Sequence, residues 1–487
     1  MKREILFGTI ALTAVGVSEA QTKKQQVKPN VLFIAVDDLN DWISCMGGYR
    51  GKVFTPNFDR LASQGMLFTN AHCGAPSSAP SRASLMTGIH PATSGMYENG
   101  QRWRDVPRLT NAVTIPEYFR QNGYRAVGGG KIFHALSWIR PLDDQGNITD
   151  GHNDAKCWDE YFPNFLRCMP DEIYPPTITE IPGRPIPWFN WGALHDNRLD
   201  SMADHRVVDW AISELKKKHD KPFFQAVGLF RPHIPWYVPQ LFYDLYPKDE
   251  VLLPIVRTND LEDAHTHDRI SWHKWIVENK LWKEAIQAYL ASITYCDYEL
   301  GRLLDALEAS EHAKNTIVVL WSDNGFQLGQ KENWEKFTLW EGSTHVNLMI
   351  KAPGVTIPGS RYNHPVSLLD IYPTLNDLCG FAPRADLEGV NLVPILKNPS
   401  INMNRAVVCT HLFKNHSIRS DRYRYISYQD GFEELYDHSV DPFEFHNLIF
   451  TPEGKKKYAS VVAEMKQWLP KIDTPRPEQK KRTVMKD

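Results

Sequence analysis

The apolar run Val31-Leu32-Phe33-Ile34-Ala35-Val36 stops abruptly at Asp37-Asp38. An unbroken apolar stretch with a polar end reads as a buried parallel strand, because a strand with one wet face would alternate. The pattern recurs at residues 223–230, which lead into Arg231-Pro232-His233, and at 316–321, which lead into Ser322-Asp323-Asn324-Gly325. A shorter strand over 125–127 feeds Gly128-Gly129-Gly130-Lys131. Helical patterns lie between these runs. Thr55-Pro56 supplies an N-cap and first-turn proline, and Gly65 a stop. Thr114-Ile115-Pro116-Glu117 reads as a capping box, with Gly123 ending that helix. Residues 200–217 predict another helix. A long one over 282–307 puts Ile286, Tyr289, Leu290, Ile293, Leu300, Leu303, Leu304 and Leu307 on one side. Alternating strands and helices with polar strand ends predict an α/β fold, a large doubly wound mixed sheet flanked by helices.

The pattern changes after about residue 400. Short strands are expected at 406–410, 417–419 and 423–428, then Glu434-Leu435-Tyr436-Asp437, then an amphipathic helix at 454–469. These predict a small C-terminal antiparallel sheet plus helix. The expected organisation is a leader over 1–20, a catalytic α/β domain over 21–399 and a small α+β subdomain over 400–487. The Pro/Lys/Arg-rich tail from Pro470 is expected to be loosely ordered. Residues 137–197 and 247–281 lack regular periodicity, and such long loops shape access to a site.

The N-terminus narrows the setting. Lys2 and Arg3 precede the apolar run 5–17, and Ser18-Glu19-Ala20 offers small residues for cleavage. This reads as a secretory signal, too short for a comfortable membrane span. A cleaved leader would place the mature chain, from near Gln21, in the periplasm, with no stable membrane anchor expected. A net charge of -3 argues against a nucleic-acid scaffold. Seven cysteines form no zinc spacing, and an odd number leaves at least one free thiol. Cys157 and Cys168 are near enough in sequence to bridge.

The strand ends carry the chemistry. Asp37, Asp38, Asp323 and Asn324 are hard oxygen donors that suit Ca²⁺, or less well Mg²⁺, rather than zinc. Each pair alone also reads as a cap or turn; two pairs, each after an apolar strand, favour a metal. Arg82, Lys131, His134, His233 and Lys336 fall at the same kind of position, where one cleft would gather them.

The segment Ser78-Ala79-Pro80-Ser81-Arg82-Ala83-Ser84-Leu85-Met86-Thr87-Gly88 resembles the activation signature of the type I sulfatases, in the alkaline phosphatase-like superfamily. Val36-Asp37-Asp38-Leu39, Gly130-Lys131-Ile132-Phe133-His134, Arg231-Pro232-His233-Ile234-Pro235-Trp236, Ser322-Asp323-Asn324-Gly325 and Lys336 follow in that family's order. The Gly-Lys-x-Phe-His and Pro-His-Ile-Pro blocks resemble its iduronate-2-sulfatase-like branch. The resemblance implies that Ser78 is oxidised to Cα-formylglycine by a transient radical-SAM maturase. One hydroxyl of the aldehyde hydrate then attacks sulfur and the other expels sulfate, which a plain serine ester could not do by itself. It implies calcium held by Asp37, Asp38, Asp323 and Asn324 with the modified Ser78. Arg82 and Lys131 would hold the hydrate, and His134 would assist sulfate elimination. Lys131, His233 and Lys336 would bind sulfate, with His233 as acid to the leaving oxygen. Cys73 lacks the Pro and Arg at the required offsets. Departures from the family pattern are Ile89-His90 after Thr87-Gly88, Asn324 where some relatives have His, and Asn347 where Pro is common.

The resulting expectation is a carbohydrate sulfatase acting on glycosaminoglycan-type saccharides, with a 2-O-sulfated uronate as target. Trp138, Trp158, Trp188, Trp191, Trp236, Trp334 and Trp340 are candidates for stacking on sugar rings or for the core. Rival readings are an algal galactan or fucan sulfatase, a phosphonate or phosphate ester hydrolase on the same fold, and a non-catalytic sulfated-glycan binder with unmodified Ser78.

Overall fold

The computed structural model describes residues 28–134, 153–165, 167–170, 189–265 and 272–478. The proposed leader, Trp138 and Trp188 lie outside these residues. A mixed sheet runs in the order Ser360–Tyr362, Met66–His72, His345–Lys351, Thr316–Ser322, Asn30–Val36, Phe223–Leu229, Arg125–Gly130, Glu160–Phe162. His345–Lys351 runs antiparallel to both neighbours, while the five strands from Thr316–Ser322 to Glu160–Phe162 are parallel. The three apolar runs are buried at every position. Their two faces feed two separate apolar cores, which explains why they do not alternate. The long helix Trp282–Ala309 lays its predicted stripe, Ile286 to Leu307, into one of those cores.

Four antiparallel strands, Val407–Thr410, His416–Arg419, Tyr423–Ser427 and Glu433–Asp437, form the small C-terminal sheet. The expected single helix after it is two, Pro452–Lys457 and Ala459–Lys466. The break follows the basic run Lys455-Lys456-Lys457, and no apolar stripe crosses it. The tail is not loose up to residue 478. Thr474 donates from its backbone to Ala92 and from its hydroxyl to Thr93, Tyr97 donates to the Thr474 carbonyl, and Arg476 pairs with Glu98. Hydrogen bonds that composition cannot reveal hold it down.

Other local expectations change for physical reasons. The glycine run is not a loop after the strand but its second half, Arg125–Gly130. A Cβ on Gly130 would lie 2.0 Å from the Gly228 carbonyl oxygen, and one on Gly228 would lie 2.3 Å from the Lys131 backbone. This close approach of two strands needs glycine on both sides, and it seats Lys131. Thr114 accepts from the Glu117 amide at 3.4 Å, but the Glu117 carboxylate pairs with Arg104, so the capping box is only half made. Thr55 makes no side-chain cap; its hydroxyl accepts from the Ser44 amide instead. The aperiodic stretches hold short elements, among them strand Trp191–Leu194, paired with Trp236–Pro239, and helix Trp272–Glu278. Cys157 and Cys168 form no disulfide, and the Cys157 sulfur sits 3.2 Å from the Thr114 hydroxyl.

Candidate active site

Parallel register brings the chemistry together. Val36 is level with Ser322 on one side and Leu229 on the other, and Gly130 is level with Gly228. The next residues in each strand, Asp37-Asp38, Asp323-Asn324, Arg231 to His233 and Lys131, therefore emerge along one edge, the carboxyl ends of the strands. The sulfatase-like segment forms helix Ser78–Thr87, with Ser78 as its first residue. Asn99 fastens that end, accepting from the Ala79 amide at 2.9 Å and the Ser77 hydroxyl at 2.8 Å.

Ser78 is fully buried. Its hydroxyl lies 3.3 Å from Asn324 Oδ1, and Lys336 Nζ donates to it at 3.0 Å. Lys336 also pairs with Asp38, and Lys131 with Asp37. Arg82 spans the set: Nε meets Asp323 Oδ2 at 2.8 Å, Nη2 meets Asp37 Oδ1 at 3.0 Å, and Nη1 donates to the Lys131 carbonyl at 2.6 Å. Asn324 Nδ2 donates to Asp38 Oδ1 at 2.8 Å, and the Asp38 amide to Asp323 Oδ1 at 3.1 Å. His233 Nε2 stands 3.6 Å from Asp38 Oδ2, while its Nδ1 meets the Ile234 carbonyl at 2.5 Å. An Nδ1–H donor there leaves Nε2 facing the cluster.

Three carboxylates and three cations, none exposed by more than 3%, thus face one another. Charges are buried only when paired this closely. Burial works against ionisation of Asp38, but Lys336 and His233 outweigh it and hold the carboxyl below its ordinary range. Burial would lower Lys336, yet Asp38, Asp37 and Asp323 raise it. For Lys131 burial prevails over Asp37 and the amine is lowered. Burial, with Lys131 and Lys336 adding to it, pushes both His134 and His233 well below the ordinary histidine value, Asp38 opposing this for His233.

The donors suit a cation. One oxygen each of Asp37, Asp38 and Asp323 lies within 4.8 Å of the others, all buried. Asp38 Oδ2 is buried and takes no hydrogen bond. An orphaned buried carboxylate oxygen among other hard donors is what a divalent ion would complete. With three charges of each sign already balanced, a dication would leave the pocket positive and ready for an anionic ester.

The register gathers Asp37, Asp38, Lys131, His233, Asp323 and Asn324 along this edge, the helix brings Ser78 and Arg82 to them, Lys336 joins through Asp38 and Ser78, and His134 stands three residues beyond Lys131. Arg82 reaches the carboxylates, bonding Asp37, Asp323 and the Lys131 and Ile132 carbonyls. Arg231 turns into the core and donates to the Tyr237 carbonyl. The described tryptophans among the stacking candidates are core residues: Trp158, Trp191, Trp236, Trp334 and Trp340 are all buried, and Trp236 and Trp340 spend their N–H groups on the Pro232 carbonyl and Glu434. They are not open platforms for a sugar.

Sequence reasoning missed Asn99, Ser81 and Tyr289, and it read Asn347 only as a departure. Ser81 donates to the Asp323 carbonyl at 2.5 Å, and Tyr289 to the Asp38 carbonyl at 2.8 Å. Asn347 donates from its amide to Ser322 Oγ and from its side chain to the Leu39 and Asn40 carbonyls. A proline could make none of these bonds. Only Ser81 carried a local signal, its place in the signature.

The family model described as sulfatase matches residues 29–381, and the one described as N-sulphoglucosamine sulphohydrolase, C-terminal, matches residues 329–474. A sulfatase of Formosa agariphila is 38% identical over 484 residues, covering 96% of this chain and 92% of the relative. Iduronate 2-sulfatase of Homo sapiens is 31% identical over 433 residues, covering 78% of this chain and 74% of the relative. Among solved structures, a phosphonate monoester hydrolase of Agrobacterium radiobacter matches with a TM-score of 0.72 at 22% identity, covering 90% of this chain and 96% of that one. A 2-O GAG sulfatase matches with a TM-score of 0.66 at 24% identity, covering 91% of each. At such identities the solved structures speak to the fold, which is the mixed-sheet fold described above. The sequence matches carry the rest: the chain belongs to the sulfatase family and is a sulfuric ester hydrolase.

Proposed function

We propose that this enzyme removes sulfate from glycosaminoglycan-type saccharides, with a 2-O-sulfated uronate as its target. The observation that carries the catalytic reading is the Ser78 hydroxyl, buried at a helix start between Lys336 and Asn324. The saccharide reading rests on the relatives, which include iduronate 2-sulfatase and an ulvan-active sulfatase of Formosa agariphila. The second of these keeps an algal polysaccharide as the rival substrate.

In this reading Ser78 is matured to formylglycine by a radical-SAM enzyme. Formylglycine supplies a hydrated aldehyde in place of a plain hydroxyl, and so a nucleophile that releases itself from sulfate. Calcium is the proposed ion, held by Asp37, Asp38, Asp323 and Asn324; it would supply Lewis-acid polarisation of a sulfate oxygen. Lys131 and Lys336 bind the sulfate oxygens and offset charge as the ester bond breaks. Asn324 and Lys336 orient the nucleophilic oxygen. His134 assists release of sulfate from residue 78. His233 faces the cluster through Nε2 and protonates the leaving sugar oxygen. The incoming sulfate brings the negative charge that favours the protonated ring against its burial.

Correctly matured enzyme assayed on a panel of defined sulfated saccharides tests the substrate. Turnover of 2-O-sulfated uronates above other positions is expected; preference for algal galactans or fucans would replace that target. His233→Ala tests the acid. It should cost roughly 10²–10⁴-fold on a sugar sulfate and far less on an aryl sulfate, whose phenolate leaves unaided. Equal losses on both would assign His233 to sulfate binding alone.

A further inference from the structure

Among the described residues eleven non-glycines carry a positive φ, and four of them fall in two segments, one next to Lys336 and one in a turn of the small sheet: Glu335 (71°), Phe337 (74°), Leu412 (63°) and Lys414 (62°). Left-handed backbone at bulky residues is strained, and such strain collects at working surfaces. The first pair flanks Lys336, which touches Ser78. The second lies in the turn between strands Val407–Thr410 and His416–Arg419, closed by the His411 amide on the Asn415 carbonyl at 3.0 Å.

The two strained segments meet. The Phe337 and His411 rings are 6.3 Å apart, and Phe413 reaches Tyr97 at 6.4 Å. Tyr97 stands two residues before Asn99, which fastens the Ser78 helix. Phe337 donates its amide to Pro76, and Thr410 to Gly74, so the turn is tied to the segment that leads into Ser78. Lys414 is exposed, its amine over the Phe413 ring at 5.1 Å, and it makes no ion pair among the described residues. Every other lysine named at the site is already matched to a carboxylate.

We infer that the 411–415 turn is a specificity subsite, in which Lys414 receives a second anionic group of the substrate, a carboxylate or a further sulfate, on the sugar ring next to the ester. This rests on the saccharide reading above and sharpens it: neutral sulfated sugars are worse substrates than acidic ones. An exposed lysine bonded to an anion is worth roughly tenfold in affinity.

The test compares two saccharide sulfates that differ only in a carboxylate against a neutral hydroxymethyl group. Wild type should show a KM about tenfold lower for the acidic one. Lys414→Asn keeps a residue that tolerates the left-handed backbone and should erase that preference with the kcat ratio unchanged. Lys414→Arg should restore most of it. A preference that survives in Lys414→Asn, or is absent from wild type, overturns the inference. Should the enzyme cleave an aryl sulfate but no saccharide, the saccharide reading fails while the subsite stays testable through galacturonate and galactose as inhibitors of aryl sulfate hydrolysis. Stronger inhibition by galacturonate that Lys414→Asn abolishes supports the turn; equal inhibition by the two sugars in wild type refutes it.

Discussion

Two ionic clusters among the described residues, one fully buried and one part-buried, have similar ingredients and opposite designs. One is the strand-end site of Asp37, Asp38 and Asp323. The other lies where the small C-terminal sheet meets the segment after Lys336, and consists of Glu341, His438 and Glu444 with Arg424 and Arg419. Both offer three ligand atoms within 4.8 Å of one another. In the second, Arg424 pairs with Glu341 and with Glu444 at 2.5 Å, Arg419 meets Glu341 at 3.4 Å, and His438 meets Glu444 at 2.9 Å. Guanidinium and imidazole groups answer both of its carboxylates. In the first, Asp38 Oδ2 is left without a hydrogen bond and a lysine is shared with the Ser78 hydroxyl. The second network ties the small sheet to the segment after Lys336, and what it leaves without a hydrogen bond are donors, Arg419 Nε and Arg424 Nε. The first leaves a carboxylate oxygen unanswered, which is capacity for a cation.

The sharpest way to separate them is to break each and read activity against stability. Ser78→Ala should lower turnover on the order of 10⁶-fold, as loss of a nucleophile does, while the unfolding curve stays put because a smaller side chain fits the same helix start. Wild-type turnover in protein from a maturase-competent host would remove Ser78 from the mechanism. Asp323→Ala comes next. It removes a carboxylate that Arg82 and the Asp38 and Asn324 amides all use, and should cost roughly 10²–10³-fold together with the bound metal. Elemental analysis checks this; stoichiometric zinc without calcium or magnesium would contradict the donor chemistry.

Arg424→Met should do the reverse. It leaves buried Glu444 and part-buried Glu341 without their main partner, a loss of about 3 kcal/mol of stability by denaturant unfolding, the low end for a broken buried pair because Glu341 keeps some solvent. The folded remainder should keep its KM. A large change in metal content would mean that the second cluster is also a metal centre. The smallest expected effect is a pH dependence of that loss. Burial would raise Glu341 and Glu444, but Arg424 outweighs it and holds both carboxyls low. A depressed carboxylate stabilises above its unfolded value of roughly 4.3 and loses that contribution as pH falls through the folded value. The gap between wild type and Arg424→Met should therefore narrow below about pH 4, measured as urea midpoints from pH 7 to 3. A constant gap would assign the effect to packing by the arginine stem.

Much of the site was legible because its signals are short. Asp37-Asp38 and Asp323-Asn324 each follow an apolar run within the same few residues, and Ser78 to Gly88 is one segment. What was misread depended on partners far along the chain. The stacking tryptophans are identical in composition to core tryptophans; only packing shows that Trp236 and Trp340 face inward. The tail looked unstructured because its ties to Ala92, Thr93 and Glu98 run over nearly four hundred residues. Cys157 and Cys168 were close in sequence, but separation along the chain says nothing of how the two sulfurs face.

By itself, then, the sequence determined the alternation of strands and helices, the polar strand ends, the Ser78 to Gly88 segment and the oxygen-rich donor set. Local periodicity and neighbouring residues encode all of these. The tertiary structure decided the register that levels Val36 with Ser322 and Leu229, and the glycine contact that seats Lys131. It also decided the supports from Asn99, Tyr289 and Asn347, and that Asp38 keeps an unanswered carboxylate oxygen. Those depend on groups brought within about 3 Å by the folding of distant segments, and no window of sequence contains both partners.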